Sequence, residues 1–161
     1  MKNISFALTT QQIIDESKDV TRRLGWFNLK PGDLLQPVRK CMGLKKGESP
    51  EILRPPIRVI VPRREPLSAM LDNRNYGEAE CIREGFPDLT PDQFVTIFCK
   101  SHKGCTPQTT INRIEFAYTS GETRSCACGW KGDLYECVMC GSVGPLCPEC
   151  HSTTETEGSA T

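Results

Sequence analysis

Six of the chain's ten cysteines fall between Cys126 and Cys150, as three close pairs: Cys126 with Cys128, Cys137 with Cys140, and Cys147 with Cys150. A pair at that spacing can place two sulfurs on one ion from a tight turn, and Gly129 and Gly141 follow two of the pairs where such a turn needs a residue without a Cβ. Zinc takes four ligands in a tetrahedron and favours thiolates in structural sites. Trp130, Leu134, Tyr135 and Leu146 are the module's few apolar residues, so bound metal must supply much of its folding energy. A catalytic zinc would keep an open position and usually recruit histidine or carboxylate, so the cluster predicts a structural staple. Six cysteines do not divide into fours. One zinc could take the first and last pairs, or the middle pair with either neighbour, and two ions could be held if His151 and another group joined. The favoured reading is one structural Zn2+ with the ligand set left open.

This cluster divides the chain into a body over 1–120, a zinc-binding module over 121–151 and a Ser/Thr/Glu tail over 152–161 that is expected to be disordered. Net charge is zero over 161 residues, but two basic and six acidic residues lie from 121 onward, which leaves 18 basic and 14 acidic residues in the body. A mildly basic body is compatible with nucleic-acid contact, and equally with ordinary surface charge. The acidic module is poorly suited to grip nucleic acid by itself. No apolar run reaches the length of a membrane span, and no basic-then-apolar signal pattern opens the chain. The expectation is a cytoplasmic protein without membrane contact, in a reducing compartment that suits metal thiolates.

The body reads as α+β. Ile4–Leu8 is an expected buried strand, and Thr9 or Thr10 caps a helix running through Ile13 and Ile14. Pro31-Gly32-Asp33 is a turn signature before a strand over Leu34–Val38. Residues 41–56, with Pro50, Pro55 and Pro56, read as a surface loop. Ile57–Val61 is a strand by its β-branched content. A helix is expected over Tyr76–Glu84. Another follows Thr90 as N-cap and Pro91, with Phe94, Ile97 and Phe98 on one face. Ile111–Tyr118 alternates and closes the body, with Ile114, Phe116 and Tyr118 against Arg113, Glu115 and Ala117. These elements suit a twisted antiparallel sheet or small barrel with packed helices. Cys81 and Cys99 fall on apolar helix faces and read as core. His102 reads as a surface residue.

The stretch Lys18-Asp19-Val20-Thr21-Arg22-Arg23, followed by Trp26, is the second informative feature. By residue types it reads first as a helix end whose basic residues complement the dipole, with Trp26 in the core. It could also bind phosphate and stack a base. Lys18, Thr21 and Arg23 stand in the spacing K-x-x-T-x-R, and in that respect the body resembles the ASCH domain, a relative of the PUA RNA-binding domain. The succession of elements is similar too. Leu29-Lys30-Pro31-Gly32-Asp33 precedes one strand, another strand follows at 57–61, Glu84-Gly85-Phe86 precedes a helix, and a last strand runs over 113–118. The resemblance covers about residues 3–118 and none of the zinc module.

It implies a small PUA-like β-barrel with packed helices and a cleft that binds RNA or nucleotides. One bacterial branch of the family hydrolyses N4-acetylcytidine to cytidine and acetate with a Lys, a Thr and a later Glu, which map to Lys18, Thr21 and Glu84. The glycine that usually stands two residues before the lysine is Glu16 here, and the compact hydrolases have no counterpart of the 41–56 insertion. In an extended strand Thr21 and Arg23 share a face and Lys18 lies on the other, so the three converge only if the chain turns.

Three functions follow. The first is binding of RNA or a modified nucleoside, with Lys18, Arg22, Arg23 and Trp26 as contacts and the zinc module as a second contact or a staple. The second is amide hydrolysis of an N4-acylcytidine by Lys18, Thr21 and Glu84. The third is docking of a protein partner through the zinc module.

Overall fold

The computed structural model describes residues 1–121 in full and, beyond them, the backbone of 123–125, 131–133, 138–140, 144–146 and 155–156. Backbone contacts divide the chain into two compact units, Met1–Ala117 and Tyr118–Thr161.

The first unit is a mixed α+β structure. Its strands are β1 (Lys2–Ser5), β2 (Val20–Arg23), β3 (Leu34–Val38), β4 (Ile57–Pro66) and β5 (Thr110–Tyr118). They form one open sheet in the order β1-β3-β4-β5-β2. β1 lies parallel to β3, with Ile4 opposite Pro37, so the sheet is not purely antiparallel as the sequence led us to expect. The long connection over 39–56 makes this possible. It folds back on β3 through a bridge from Val38 to Ile52, and β3 then pairs antiparallel with β4. β2 pairs antiparallel with β5, setting Thr21 opposite Ile114 and Arg22 opposite Arg113. β1 and β2 are the sheet's edges.

The helices are α1 (Thr10–Ile14), α2 (Ala69–Asp72), α3 (Arg74–Arg83) and α4 (Pro91–Ser101). α1 starts where expected, but the Thr9 side chain makes no cap bond, and the Thr10 hydroxyl instead donates to the Phe6 carbonyl at 2.9 Å. α4 opens on the expected N-cap Thr90, which is part of a full capping box: Thr90 Oγ1 accepts from the Gln93 amide and Gln93 Oε1 from the Thr90 amide, with Pro91 in the first turn. α3 is capped by Asn73, whose side chain accepts from the Tyr76 amide at 3.0 Å.

Leu67, Met70, Cys81, Phe94, Val95 and Ile111 form a core between the helices and the start of β5, with Phe86, Phe98 and Cys99 packed against it. Further buried apolar residues, among them Ile4, Leu35, Val59, Ile114 and Phe116, come from the strands. Phe6 meets Phe116 with ring centroids 6.0 Å apart.

In the second unit β6 (Thr123–Ser125) pairs antiparallel with β7 (Lys131–Asp133) and with β10 (Glu155–Thr156), and β8 (Val138–Cys140) pairs with β9 (Gly144–Leu146). The predicted zinc ligands Cys126, Cys128, Cys137, Cys147 and Cys150, and the side chain of Cys140, lie outside the described residues.

The helix cluster depends on one close approach. A Cβ at Gly77 would stand 2.1 Å from the Met70 carbonyl oxygen and 2.7 Å from Pro91 Cγ. Backbone and proline ring cannot yield as a flexible side-chain end can. Gly77→Ala is therefore expected to lower stability by about 2 kcal/mol or more, read as a fall in the urea midpoint at unchanged slope.

Candidate functional site

A cavity of about 260 Å³ opens beside β2, lined by Ser5–Thr9, by Lys18, Thr21, Arg22, Arg23 and Glu84, and by a wall of Phe86, Leu89, Phe94, Ile97, Phe98 and His102. Successive strand residues point to opposite faces of a sheet. Three consecutive residues can line one cavity only where it wraps a strand's free edge, and β2 is such an edge. The wall is aromatic: Phe86 meets Phe94 at a tilt of 59°, Phe94 stacks on Phe98, and Phe98 stacks on His102 with centroids 4.4 Å apart. His102 is therefore half-buried on the cavity wall and not a free surface residue.

The floor is polar and buried. Glu84 is the C-cap of α3, where Gly85, at φ +84°, ends the helix. The Phe86 amide donates to the Cys81 carbonyl and the Gly85 amide to the Ile82 carbonyl, both at 2.9 Å, the two bonds of a Schellman motif. That geometry turns the Glu84 carboxylate and carbonyl toward Lys18. Lys18 Nζ donates to the Glu84 carbonyl at 2.5 Å and to Oε2 at 2.7 Å. Lys18 is 2% exposed and Glu84 3%, so this ion pair is shut from water, and Glu84 is not a solvated residue at a helix end. Burial pushes the Lys18 pKa down, the Glu84 carboxylate pulls it back up, and the neighbouring Arg23 and Arg22 add to the depression.

Lys18 reaches this position because the chain turns before it. α1 stops at Ile14, and Glu16 adopts φ +63°, the left-handed region natural to glycine. This is the position where the resembled family carries glycine. Glu16 is held there by an ion pair with Arg54, which also donates to the Ile14 carbonyl at 2.9 Å. Lys18 lies in irregular backbone ahead of β2, outside the strand's alternation. Its side chain does complement a helix C-terminus, but that of α3, not α1.

Behind the floor, Arg22 meets three carboxylates: Glu65 at 2.8 Å, Glu80 at 2.7 Å and Glu84 at 3.2 Å. Its cross-strand partner Arg113 donates to both Glu80 oxygens, at 2.6 and 2.8 Å. Two arginines directly opposite on paired strands repel, and Glu80 lies between them as shared counter-ion. Tyr76 donates to Glu65 and accepts from Arg22 at 3.0 Å. Both terminal nitrogens of Arg22 are thus engaged with carboxylates of the fold, while its Nε has no hydrogen-bond partner among the described residues. Trp26, grouped with Arg22 and Arg23 as a candidate contact, sits elsewhere. It adopts φ +60° and lines a separate depression with Lys2, Phe27, Asn28 and Leu29.

Of the residues singled out from sequence, Lys18, Thr21, Arg22, Arg23 and Glu84 share one cavity. Glu65, Glu80 and Arg113 are additions. The 4-residue spacing of Tyr76, Glu80 and Glu84 on one helix face was a readable signal, since stacked carboxylates are unfavourable without a cation against them. Arg113 was hidden by the alternation of β5, which suggested one solvated face, whereas Ile111 to Ile114 are all buried. Cys99 and Cys105, apart in the sequence pattern, bring their sulfurs to 3.6 Å. Comparison with family profiles, curated proteins and solved structures finds no match to this chain.

Burial disfavours the Glu80 carboxylate, but hydrogen bonds from Arg113 and the charge of Arg22 outweigh it and hold its pKa at about 2, against an ordinary 4.5. A depressed carboxyl pKa stabilises the fold above the unfolded value, and that stability is lost as pH falls through the folded value. Stability is expected to fall between pH 4.5 and about 2, by on the order of 3 kcal/mol from Glu80. Urea unfolding across that range checks this, and Glu80→Gln should flatten that limb while lowering stability at neutral pH.

Proposed function

We propose that the first unit is an ASCH-type module whose cavity binds a modified pyrimidine nucleoside, free or in RNA, and that Lys18, Thr21 and Glu84 hydrolyse an N4-acyl amide held there. The observation that carries this reading is the meeting of these three residues, 66 positions apart at its extremes, on the buried floor of one cavity with an aromatic wall. A volume of about 260 Å³ suits a single base or nucleoside rather than a folded nucleic acid. Flat rings along one side and hydrogen-bonding groups beneath are what a heteroaromatic base requires. The finer architecture proposed is a PUA-like barrel. Arg23 on β2 donates to the Ser5 carbonyl of β1, so a side chain links the two sheet edges that no ladder joins.

The chemistry follows from the Lys18–Glu84 pair. Burial makes the neutral form of Lys18 accessible, so it can take the proton of Thr21 Oγ1, or of a water that Thr21 orients. The oxygen attacks the acyl carbon. The proton passes from Lys18 Nζ to Glu84 across 2.7 Å and from Glu84 to the departing N4 nitrogen. If Thr21 is the nucleophile, a water then attacks the acyl-threonine, its proton passes through Lys18 back to the departing Thr21 Oγ1, and the acyl group leaves as the acid. The cavity's apolar wall keeps bulk water from competing for these protons.

We also propose that Cys126, Cys128, Cys137, Cys140, Cys147 and Cys150 supply the ligands of a structural zinc. The thiolate-rich donor set fits that metal and leaves no role for it in the reaction.

Two outcomes are expected. Purified full-length protein hydrolyses N4-acetylcytidine, and Lys18→Ala and Glu84→Gln each lower turnover at least ~100-fold, with circular dichroism confirming that the variants fold. Absence of turnover by folded wild-type protein removes the hydrolase reading, and absence of cytidine binding by calorimetry removes the nucleoside reading with it. Elemental analysis should find one zinc per chain, and a chelator should remove it with loss of the second unit's signal while the first unit's cooperative unfolding persists. Protein purified without metal in any preparation overturns the zinc assignment.

A further inference from the structure

The cations around the cavity floor are unequally matched. Lys18 pairs with Glu84, Arg22 with Glu65, Glu80 and Glu84, and Arg113 with Glu80 and Glu115. Each of these cations thus has at least one carboxylate in contact, and Glu65, Glu80 and Glu115 also meet Arg63 or Arg83. Arg23 is left over. Among the described residues it makes no ion pair with any carboxylate. Its guanidinium donates one hydrogen bond, to the Ser5 carbonyl, and its enclosed Nε has no hydrogen-bond partner. The Phe6 ring lies 5.2 Å from its guanidinium carbon, an attraction that offsets only part of the lost hydration.

Arg23 is half-buried and feels the Glu84 carboxylate only through space, without an ion pair, so its lost hydration is incompletely offset. A lysine could relieve this by releasing its proton, but arginine keeps its charge at any physiological pH. The burden thus falls on whatever occupies the cavity that Arg23 lines. Its planar fork matches an oxyanion, and the apolar walls strengthen that attraction by lowering the local dielectric.

We propose that Arg23 is the anion subsite of this cavity, and that the natural ligand carries a phosphate or carboxylate group seated on it beside a flat apolar portion against Phe86, Phe94 and Phe98. This deepens the nucleoside reading by making the ligand a nucleotide or a phosphodiester-linked nucleoside, but the subsite's charge argument stands apart from the identity of the base.

The test uses the full-length protein at constant ionic strength, with chloride exchanged for inorganic phosphate or for acetate, and thermal unfolding as the readout. Phosphate is expected to raise the midpoint of wild-type protein and of Arg39→Gln, a charge-matched control on the exposed 39–51 pair, but not of Arg23→Gln. In calorimetry, cytidine 5′-monophosphate should bind about tenfold tighter than cytidine, a preference lost in Arg23→Gln. A response to acetate in place of phosphate assigns the subsite to a carboxylate ligand. No response of wild-type protein to either anion overturns the proposal without any variant, which covers the case in which Arg23→Gln fails to fold. An equal response in folded Arg23→Gln also overturns it. Protection by phosphate that depends on Arg23, without binding of cytidine or N4-acetylcytidine, would sink the nucleoside reading and leave the anion subsite. Binding of those nucleosides with no gain from phosphate or acetate would do the reverse.

Discussion

The structure of the first unit depends on burying charge between β2 and α3. Arg22 and Arg113 stand opposite each other on paired strands, and their repulsion is tolerable only because Glu80 touches both. Glu80 and Glu84, one turn apart on α3, would likewise repel without Arg22 between them. Each charge is the reason the next is admissible. Removing one member of such a network typically costs about 3–5 kcal/mol, because it strands a partner in low dielectric. Replacing the whole set by apolar residues can be neutral, so the network is not explained by stability alone. What it does provide is a unique register of helix against strand, and that register places Lys18 and Glu84 in contact.

The same arrangement makes the cavity. An edge strand needs something to cover its free side. Here the cover is incomplete: the 5–9 segment approaches from β1 and the rings of Phe86, Phe94 and Phe98 from the helices, and the space left beside β2 is the cavity. Its floor is set by helix termination. The left-handed Gly85 ends α3 so that the Glu84 carboxylate and carbonyl both face one lysine, joining the end of a helix dipole to an ion pair. Arg23, on the same strand, has no such partner and faces the cavity as its one unmatched charge. On the proposed reading such a site moves a proton within the Lys18–Glu84 pair and holds an anion on Arg23.

Much of this was legible before any coordinates. Thr90, Pro91 and Gln93 announce α4 by local chemistry, and the structure keeps each of their bonds. The bounds of β3 match the apolar run from Leu34 to Val38. Lys18, Thr21 and Glu84 were grouped by a motif and a succession of elements, and they share a cavity. Less was visible where two distant segments had to agree. The parallel pairing of β1 with β3 follows from how residues 39–56 fold back, which no local pattern encodes. α2, four residues long, leaves no periodic signal.

The sequence by itself determined which residues could do chemistry, where α4 begins, and that six clustered cysteines offer a thiolate donor set, because propensity, capping and donor type act over a few neighbouring residues. Only the tertiary structure decided what each charge does. Arg22, Arg23 and Arg113 are alike as residue types, yet two are neutralised by carboxylates from other elements and one faces an empty volume. That difference arises from contacts across 33 to 62 positions and from which strand became an edge. Electrostatic energy inside a protein depends on such distances and on exclusion of water, and neither exists until the chain has folded.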